Sequence, residues 1–254
     1  MRADQFLVER GMAASRAQAQ RLIGSGVEWR LSEASSWCKV TKSGDVIPPV
    51  AEVRLLDAAE ARYVSRGGLK LEGALSQTGL QVKDWQCLDV GQSTGGFTDC
   101  LLQHGAAHVI GLDVGRHQLH QRLRNDSRVV CIEQINARDP QAVAMALQKQ
   151  APDGGFDLLV GDLSFISLTL VLPAIRPWLK KGGHLLMLVK PQFELQPGQL
   201  GKGGIVRNAS LYPLVEQRIR QACDGLSLLV QAWLDSPITG WDGNREFFIF
   251  ASKP

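Results

Sequence analysis

Two hydrophobic rhythms run along the chain, and the change between them divides it. In residues 2–24 the spacing is helical: Phe6, Leu7 and Val8 form an apolar patch, and Gly11 ends it. Ala19, Leu22 and Ile23 then recur on one face, with Arg16 and Arg21 on the polar side. Two short helices around a turn are predicted, with Ser15 capping the second. After Gly24-Ser25-Gly26 the pattern shortens to strand-like pieces, Val27 to Leu31, Trp37 to Val40 and Glu52 to Leu56, separated by Ser, Gly and Pro turns. Residues 1–60 therefore predict a small α+β module.

Residues 61–84 read as a linker and a leading helix, and from residue 85 the order becomes strand, glycine turn, helix, repeated. Strand-like runs are Cys87 to Val90, His108 to Asp113, Val129 to Ile132, Phe156 to Gly161, His184 to Val189, Leu226 to Leu234 and Glu246 to Ala251. Phe97 to His104, Ala142 to Lys149 and Leu168 to Leu179 are helical between them, the order of a doubly wound parallel sheet over 85–254. Residues 235–245 hold Pro237, Gly240 and Gly243 without a helical period, so the last two strands should join antiparallel.

Composition excludes several classes. With 44% hydrophobic and 21% charged residues over 254 positions, the chain is globular in composition. Its longest charge-free apolar stretch, Leu163 to Ile175, is too short to span a bilayer, and the N-terminal residues lack a signal-peptide core. A cytosolic protein is expected. Five scattered cysteines, without metal-ligand spacing, read as reduced structural thiols. The net charge of +3 names no partner, but residues 86–179 carry 7 basic against 9 acidic side chains, so the basic excess lies outside that segment.

The chemistry gathers at strand ends. Leu88-Asp89-Val90-Gly91-Gln92-Ser93-Thr94-Gly95-Gly96-Phe97-Thr98-Asp99 places a glycine turn between a strand and a helix N-terminus, where backbone N–H groups and a ligand can meet. Asp113 follows Gly91 by 22 residues, near the spacing of an acid that binds ribose hydroxyls. NAD and S-adenosylmethionine both fit so far. Ser93 stands where a dinucleotide site needs its middle glycine, and an antiparallel last strand is expected, so S-adenosylmethionine is favoured. Gly201-Lys202-Gly203-Gly204 lacks the Ser or Thr of a Walker motif and reads as a mobile loop at the same edge. Asp162 and Lys190 each end an apolar strand, Glu246 begins the last one, and Lys70 lies on a helix able to return to that edge.

The order Lys70, Asp162, Lys190, Glu246, with the glycine turn, Tyr63-Val64-Ser65-Arg66-Gly67-Gly68 and Gly161-Asp162-Leu163-Ser164-Phe165-Ile166-Ser167-Leu168, resembles the TlyA family of FtsJ-type ribosomal RNA 2′-O-methyltransferases, some long labelled hemolysins. Residues 2 to about 57, including Arg10-Gly11-Met12-Ala13-Ala14-Ser15-Arg16, resemble the S-four-like RNA-binding domain that precedes the methyltransferase there. The resemblance implies a Rossmann-like methyltransferase sheet and S-adenosylmethionine as cofactor, held by Asp89, Gly91, Ser93, Thr94, Gly95, Gly96, Phe97, Asp113 and Asn136. It implies catalytic Lys70, Asp162, Lys190 and Glu246, RNA contacts at Arg2, Arg10, Arg16, Arg21 and Arg66, and a cytidine ribose in ribosomal RNA as the target. Neither metal nor membrane is called for.

Two departures stand out. Gln92 replaces a small residue of the family's turn, which bears on how the cofactor's methionine portion sits. Glu28, Trp29 and Trp37 occupy a segment that is usually basic. Chemically, a ribose hydroxyl needs a base before it attacks a sulfonium methyl, and Lys190 is the candidate. A free lysine is neutral in only about one molecule in 2,500 at pH 7. Lys70 and a sulfonium nearby would disfavour a second charge, whereas Asp162 and Glu246 oppose that effect but can orient the amines. Base action and pure positioning of the hydroxyl both stay open. A non-enzymatic RNA-binding protein needs the N-terminal module but no such edge; a membrane-lytic hemolysin needs export and amphipathic segments that the sequence does not show.

Overall fold

The computed structural model describes residues 1–13, 15–56, 62–240 and 242–254. It divides into two compact units, Met1–Arg66 and Gly67–Pro254. The module boundary expected between residues 60 and 61 falls on residues 57–61, outside the described residues.

In the first unit, α1 (Ala3–Glu9) and α2 (Arg16–Gly26) are joined by a short turn, and the Ser15 hydroxyl accepts from Gln18 N at 3.2 Å. Strands β1 (Val27–Arg30), β2 (Cys38–Val40) and β3 (Glu52–Leu55) form an antiparallel sheet in the order β2-β1-β3. Phe6, Leu7, Leu22, Val27, Val40 and Ile47 are buried together as its own core. Two of the unusual residues of this segment, Glu28 and Trp37, lie with the sheet's arginines, whereas Trp29 packs against the core. The guanidinium groups of Arg30 and Arg54 lie 4.5 and 4.1 Å from the Trp37 ring, and they pair with Glu52 at 2.7 Å and Glu28 at 2.6 Å.

The second unit begins with α3 (Gly67–Thr78) and continues through β4 (Gln86–Val90), α4 (Gly96–Gln103), β5 (His108–Asp113), α5 (Gln121–Arg124), β6 (Val129–Glu133), α6 (Pro140–Leu147), β7 (Phe156–Gly161) and α7 (Leu168–Ile175). It closes with β8 (Leu179–Val189), α8 (Pro191–Glu194), α9 (Tyr212–Gly225), β9 (Leu229–Asp235) and β10 (Phe247–Ser252). The seven strands lie in the order β6-β5-β4-β7-β8-β10-β9, parallel except for β10, which runs antiparallel to both neighbours. The doubly wound sheet with a reversed last strand is the one expected. Its central strands read as continuous apolar runs because helices cover both faces; Leu88, Ile110, Phe156, Leu159, Leu185 and Ile249 are all fully buried.

Element ends differ from the periodicity by three residues or more in three places. The predicted helix to Leu179 stops at Ile175, and Arg176–Trp178, with Pro177 inside, forms a single tight turn. β8 starts at Leu179 rather than His184, because Leu179 pairs with Phe156 despite the polar Lys180-Lys181-Gly182-Gly183 that follows. β9 starts at Leu229 rather than Leu226, since Leu226 and Leu228 donate back to Cys223 O and finish α9.

Candidate active site

Strand order reverses at β4, and the chain leaving β4 there meets the chain leaving β7. A Cβ on Gly91 would lie 3.0 Å from Asp162 O, so only glycine permits this approach. The turn that follows is tight: Gly91, Ser93 and Gly95 have φ of +82°, +49° and +93°. Asp113, at the end of β5, closes it by accepting from Ser93 N and from Gly115 N, each at 2.6 Å. Each Asp113 oxygen keeps a second lone pair, enough for ribose hydroxyls. Ile135 N donates to Asp113 O at 2.9 Å, which brings exposed Asn136 to the same edge. Thr94 is exposed on the turn, while Phe97 is buried against Phe248, 6.1 Å between ring centroids.

Beneath the turn lies a polar chain that only the structure reveals. Gln92 Nε2 donates to Thr98 Oγ1 at 2.9 Å, and Thr98 Oγ1 donates to Asp89 Oδ2 at 2.7 Å. Burial pushes the Asp89 carboxyl up to about 7 against the Thr98 bond, and Asp89 Oδ1 and Gln92 Oε1 are buried without hydrogen-bond partners among the described residues. Gln92 fits because its amide lies over Gly111 of β5; a Cβ there would sit 2.0 Å from Gln92 Cδ. The turn's large residue is thus accommodated by a missing side chain on the next strand. The glycine turn, the helix N-terminus at Gly96 and the Asp113 carboxylate suit an adenosine cofactor that carries no pyrophosphate.

Beside this turn the four charged residues singled out from strand ends converge. Lys70 Nζ contacts Glu246 Oε2 at 2.5 Å and Asp162 Oδ2 at 3.7 Å, and Lys190 Nζ contacts Asp162 Oδ1 at 2.5 Å. The Lys190 amine also donates to Ser164 Oγ at 2.8 Å. Lys70 and Glu246 are nearly inaccessible, at 7% and 2% side-chain exposure, whereas Asp162 keeps 24%. Burial pushes the Glu246 carboxyl up, while Lys70 pulls it the other way. Gly240 supplies the room: its Cβ would lie 2.7 Å from Glu246 Oε1. Helix α3 reaches this edge by packing its Gly73 against Pro237, and Gln77 Nε2 donates to Asp235 O at 3.2 Å.

A second layer holds these strand ends, and sequence reasoning did not single it out. Buried Asn244 accepts from Val206 N at 2.9 Å and donates to Gly204 O at 3.2 Å and to Asp242 Oδ2 at 2.8 Å. It fastens the glycine loop 201–204 two residues ahead of Glu246. Gln192 Nε2 joins the network by donating to Asp242 Oδ2 at 3.0 Å. Glu194 accepts from Leu168 N at 2.7 Å and Ser167 Oγ at 2.6 Å, tying the chain after Lys190 to the chain after Asp162. Acids and amides inside otherwise apolar segments were the available signal, but their partners lie 26 to 50 residues away.

The arginines expected to meet RNA lie in the first unit. Arg2 and Arg16 both engage Asp4, at 3.1 and 2.7 Å. Asp4 is closed off from solvent, and the two guanidinium groups hold its carboxyl well below the usual range. Arg10 donates to Pro49 O at 2.6 Å and lies 5.3 Å from the Phe6 ring. Arg21 and Arg66 are half-buried and engaged in contacts of their own.

Comparison with known proteins follows this geometry. Residues 63–253 match the FtsJ-like methyltransferase model. The 16S/23S rRNA (cytidine-2′-O)-methyltransferase TlyA of Mycobacterium tuberculosis is 42% identical over 98% of this chain and 88% of its own. Hemolysin A of Brachyspira hyodysenteriae is 38% identical over 97% of this chain and 98% of its own. A solved hemolysin-like protein from Streptococcus thermophilus is 38% identical and superposes with a TM-score of 0.74 over all of this chain and 88% of that one. With the glycine turn, the four converging charges and these near full-length likenesses in agreement, the chain belongs to the TlyA family of FtsJ-like methyltransferases.

Proposed function

We propose that this protein transfers a methyl group from S-adenosylmethionine to the 2′-oxygen of a cytidine ribose in ribosomal RNA. The observation that carries the reading is the convergence of Lys70, Asp162, Lys190 and Glu246 beside the Gly91 turn. The cofactor, when bound, supplies a methyl on a sulfonium that an oxygen can displace in line. The protein's groups have the remaining tasks. Asp113 and the turn from Gly91 to Gly96 would hold the adenosine, with Asp89, Phe97 and Asn136 around it. Lys190, held by Asp162, would take the hydroxyl proton as the oxygen–carbon bond forms. Buried Lys70 and Glu246 anchor Asp162, so that the Lys190 amine is held from behind.

The first unit would supply RNA contacts through Arg2, Arg10, Arg16, Arg21 and Arg66, positioning the strand by its phosphates. The M. tuberculosis relative's name gives 16S and 23S rRNA as substrate, and its 42% identity over 98% of this chain supports the same substrate class here. A lytic role has less support: among the described residues no helix is long and apolar enough to cross a membrane. The test is labelled methyl transfer to ribosomal RNA followed by alkaline hydrolysis. An alkali-resistant labelled dinucleotide marks a blocked 2′-oxygen; label recovered only in ordinary mononucleotides refutes ribose methylation.

A further inference from the structure

Of the groups around Lys190, one belongs to no role assigned so far. Ser164 is exposed at the mouth of the site, and its hydroxyl oxygen accepts from Lys190 Nζ at 2.8 Å, while Asp162 Oδ1 stands 2.5 Å from the same nitrogen. An amine nitrogen has four tetrahedral directions, and Cε takes one. Ser164 takes a second through its hydrogen bond, and the Asp162 carboxylate draws the amine to its side as an ion-pair partner. In the neutral amine the N–H bond held by Ser164 stops rotation about the Cε–Nζ bond and so fixes the direction of the lone pair. Without Ser164 the ion pair remains but fixes no single N–H direction, and the lone pair rotates about the Cε–Nζ bond.

We propose that Ser164 is a positioning residue that, together with Asp162, aims the Lys190 amine at the ribose hydroxyl. The proposal rests on the ribose-methylation reading of the same site. In the step it serves, the ribose oxygen forms a bond to the methyl carbon, the carbon–sulfur bond breaks with its electron pair going to sulfur, and the hydroxyl proton passes to Lys190.

The backbone is arranged to hold Ser164 in place. Phe165, the next residue, adopts φ +63°, a conformation costly for a bulky side chain, and its ring leans on Phe193 at 5.2 Å. Beyond it, buried Glu194 binds Ser167 Oγ at 2.6 Å and Leu168 N at 2.7 Å. Arg218 Nη1 in turn donates to Glu194 O at 2.8 Å. The segments 162–168 and 190–194 are therefore fastened in register at both ends and the middle: Lys190 to Ser164, Phe193 to Phe165, Glu194 to Leu168. Such fastening keeps a surface serine within hydrogen-bond reach of one amine.

The test compares Ser164→Ala, Ser164→Thr and Lys190→Ala with wild type in single-turnover methyl transfer to ribosomal RNA. Affinities for S-adenosylmethionine and for the RNA are measured separately. Ser164→Ala should slow the chemical step about tenfold or more, a part of what a positioned base contributes, with both affinities unchanged. Ser164→Thr, which keeps the hydroxyl, should recover most of the rate. The position is exposed, so both variants should melt with wild type. An unchanged rate in Ser164→Ala alongside a crippled Lys190→Ala overturns the proposal and spares the methylation reading. Equal losses in the Ala and Thr variants, or a loss confined to RNA affinity, also overturn it. Absence of ribose methylation by wild type removes both readings.

Discussion

The pairing of Gln92 with Gly111 lends itself to a quantitative trial, because each residue accounts for the other. Gly111→Ala places a methyl 2.0 Å from Gln92 Cδ and 2.2 Å from both terminal atoms of that amide. Gln92 is 3% exposed and bonded to Thr98, so its side chain cannot swing away without losing that bond and leaving polar atoms buried. Overpacking of this kind costs about 1–3 kcal/mol. For a unit of nearly two hundred residues, that lowers the melting temperature by roughly 2–4 °C per kcal/mol. Gln92→Ala alone empties the space over Gly111 and frees Thr98, and it should also destabilise. Joined in one protein, the two alanines fill that space with a methyl and remove the orphaned amide oxygen. The double variant should therefore be more stable than the sum of the two single losses, by about 1–3 kcal/mol of coupling. Urea unfolding, with an unchanged slope as a check on the unfolded state, measures all four corners of the cycle. Additive single losses, or a neutral Gly111→Ala, would refute the argument from close approach.

Other outcomes follow from the same structure. Glu246→Ala leaves Lys70 buried with Asp162 only at 3.7 Å, and should cost about 3–5 kcal/mol of stability in thermal unfolding. The double variant Lys70→Met with Glu246→Leu should recover most of that loss while abolishing methyl transfer. Asp89 has its carboxyl raised to about 7 by burial, so the folded state holds a proton that the unfolded state has released above about pH 4. Its contribution is complete below that pH and fades as pH rises toward 7; Asp89→Asn should flatten this part of the stability profile. Asp4 has the opposite sign, since Arg2 and Arg16 depress its carboxyl. Its contribution is present at neutral pH and is lost in acid, and Asp4→Asn should lower the melting temperature of the first unit at pH 7 but not at low pH. If the arginines of that unit meet phosphates, replacing Arg10 and Arg21 by Ala should weaken RNA binding and reduce its salt dependence, with S-adenosylmethionine affinity unchanged.

Much of the fold was legible along the chain because its signals are local. Helix and strand periods, the Ser15 cap and the glycines after Val90 each act within a few residues, and the two hydrophobic rhythms give the two units and the strand sequence of the sheet. The charges at strand ends were legible for a related reason: a parallel sheet delivers every strand terminus to one edge, so Asp162 and Lys190 had to be neighbours of that edge. Element ends near Leu179 and Leu226 were not, because there strand pairing and helix termination overrule local polarity.

What only the tertiary structure decided is which partner each polar group takes. By sequence alone, Arg2 and Arg16 were expected to meet RNA; folding gives both an ion pair with buried Asp4 as well. By sequence alone, Gln92 was a departure from the family's small turn residue; Gly111, nineteen positions on, is what makes it fit. Nothing in the sequence paired Ser164, Glu194 or Asn244 with a partner, since their hydrogen bonds cross from one loop to another. Periodicity records what a residue repeats with along the chain, whereas a hydrogen bond or a close contact depends on distance in space, and that is set only after the sheet has brought its strand ends together.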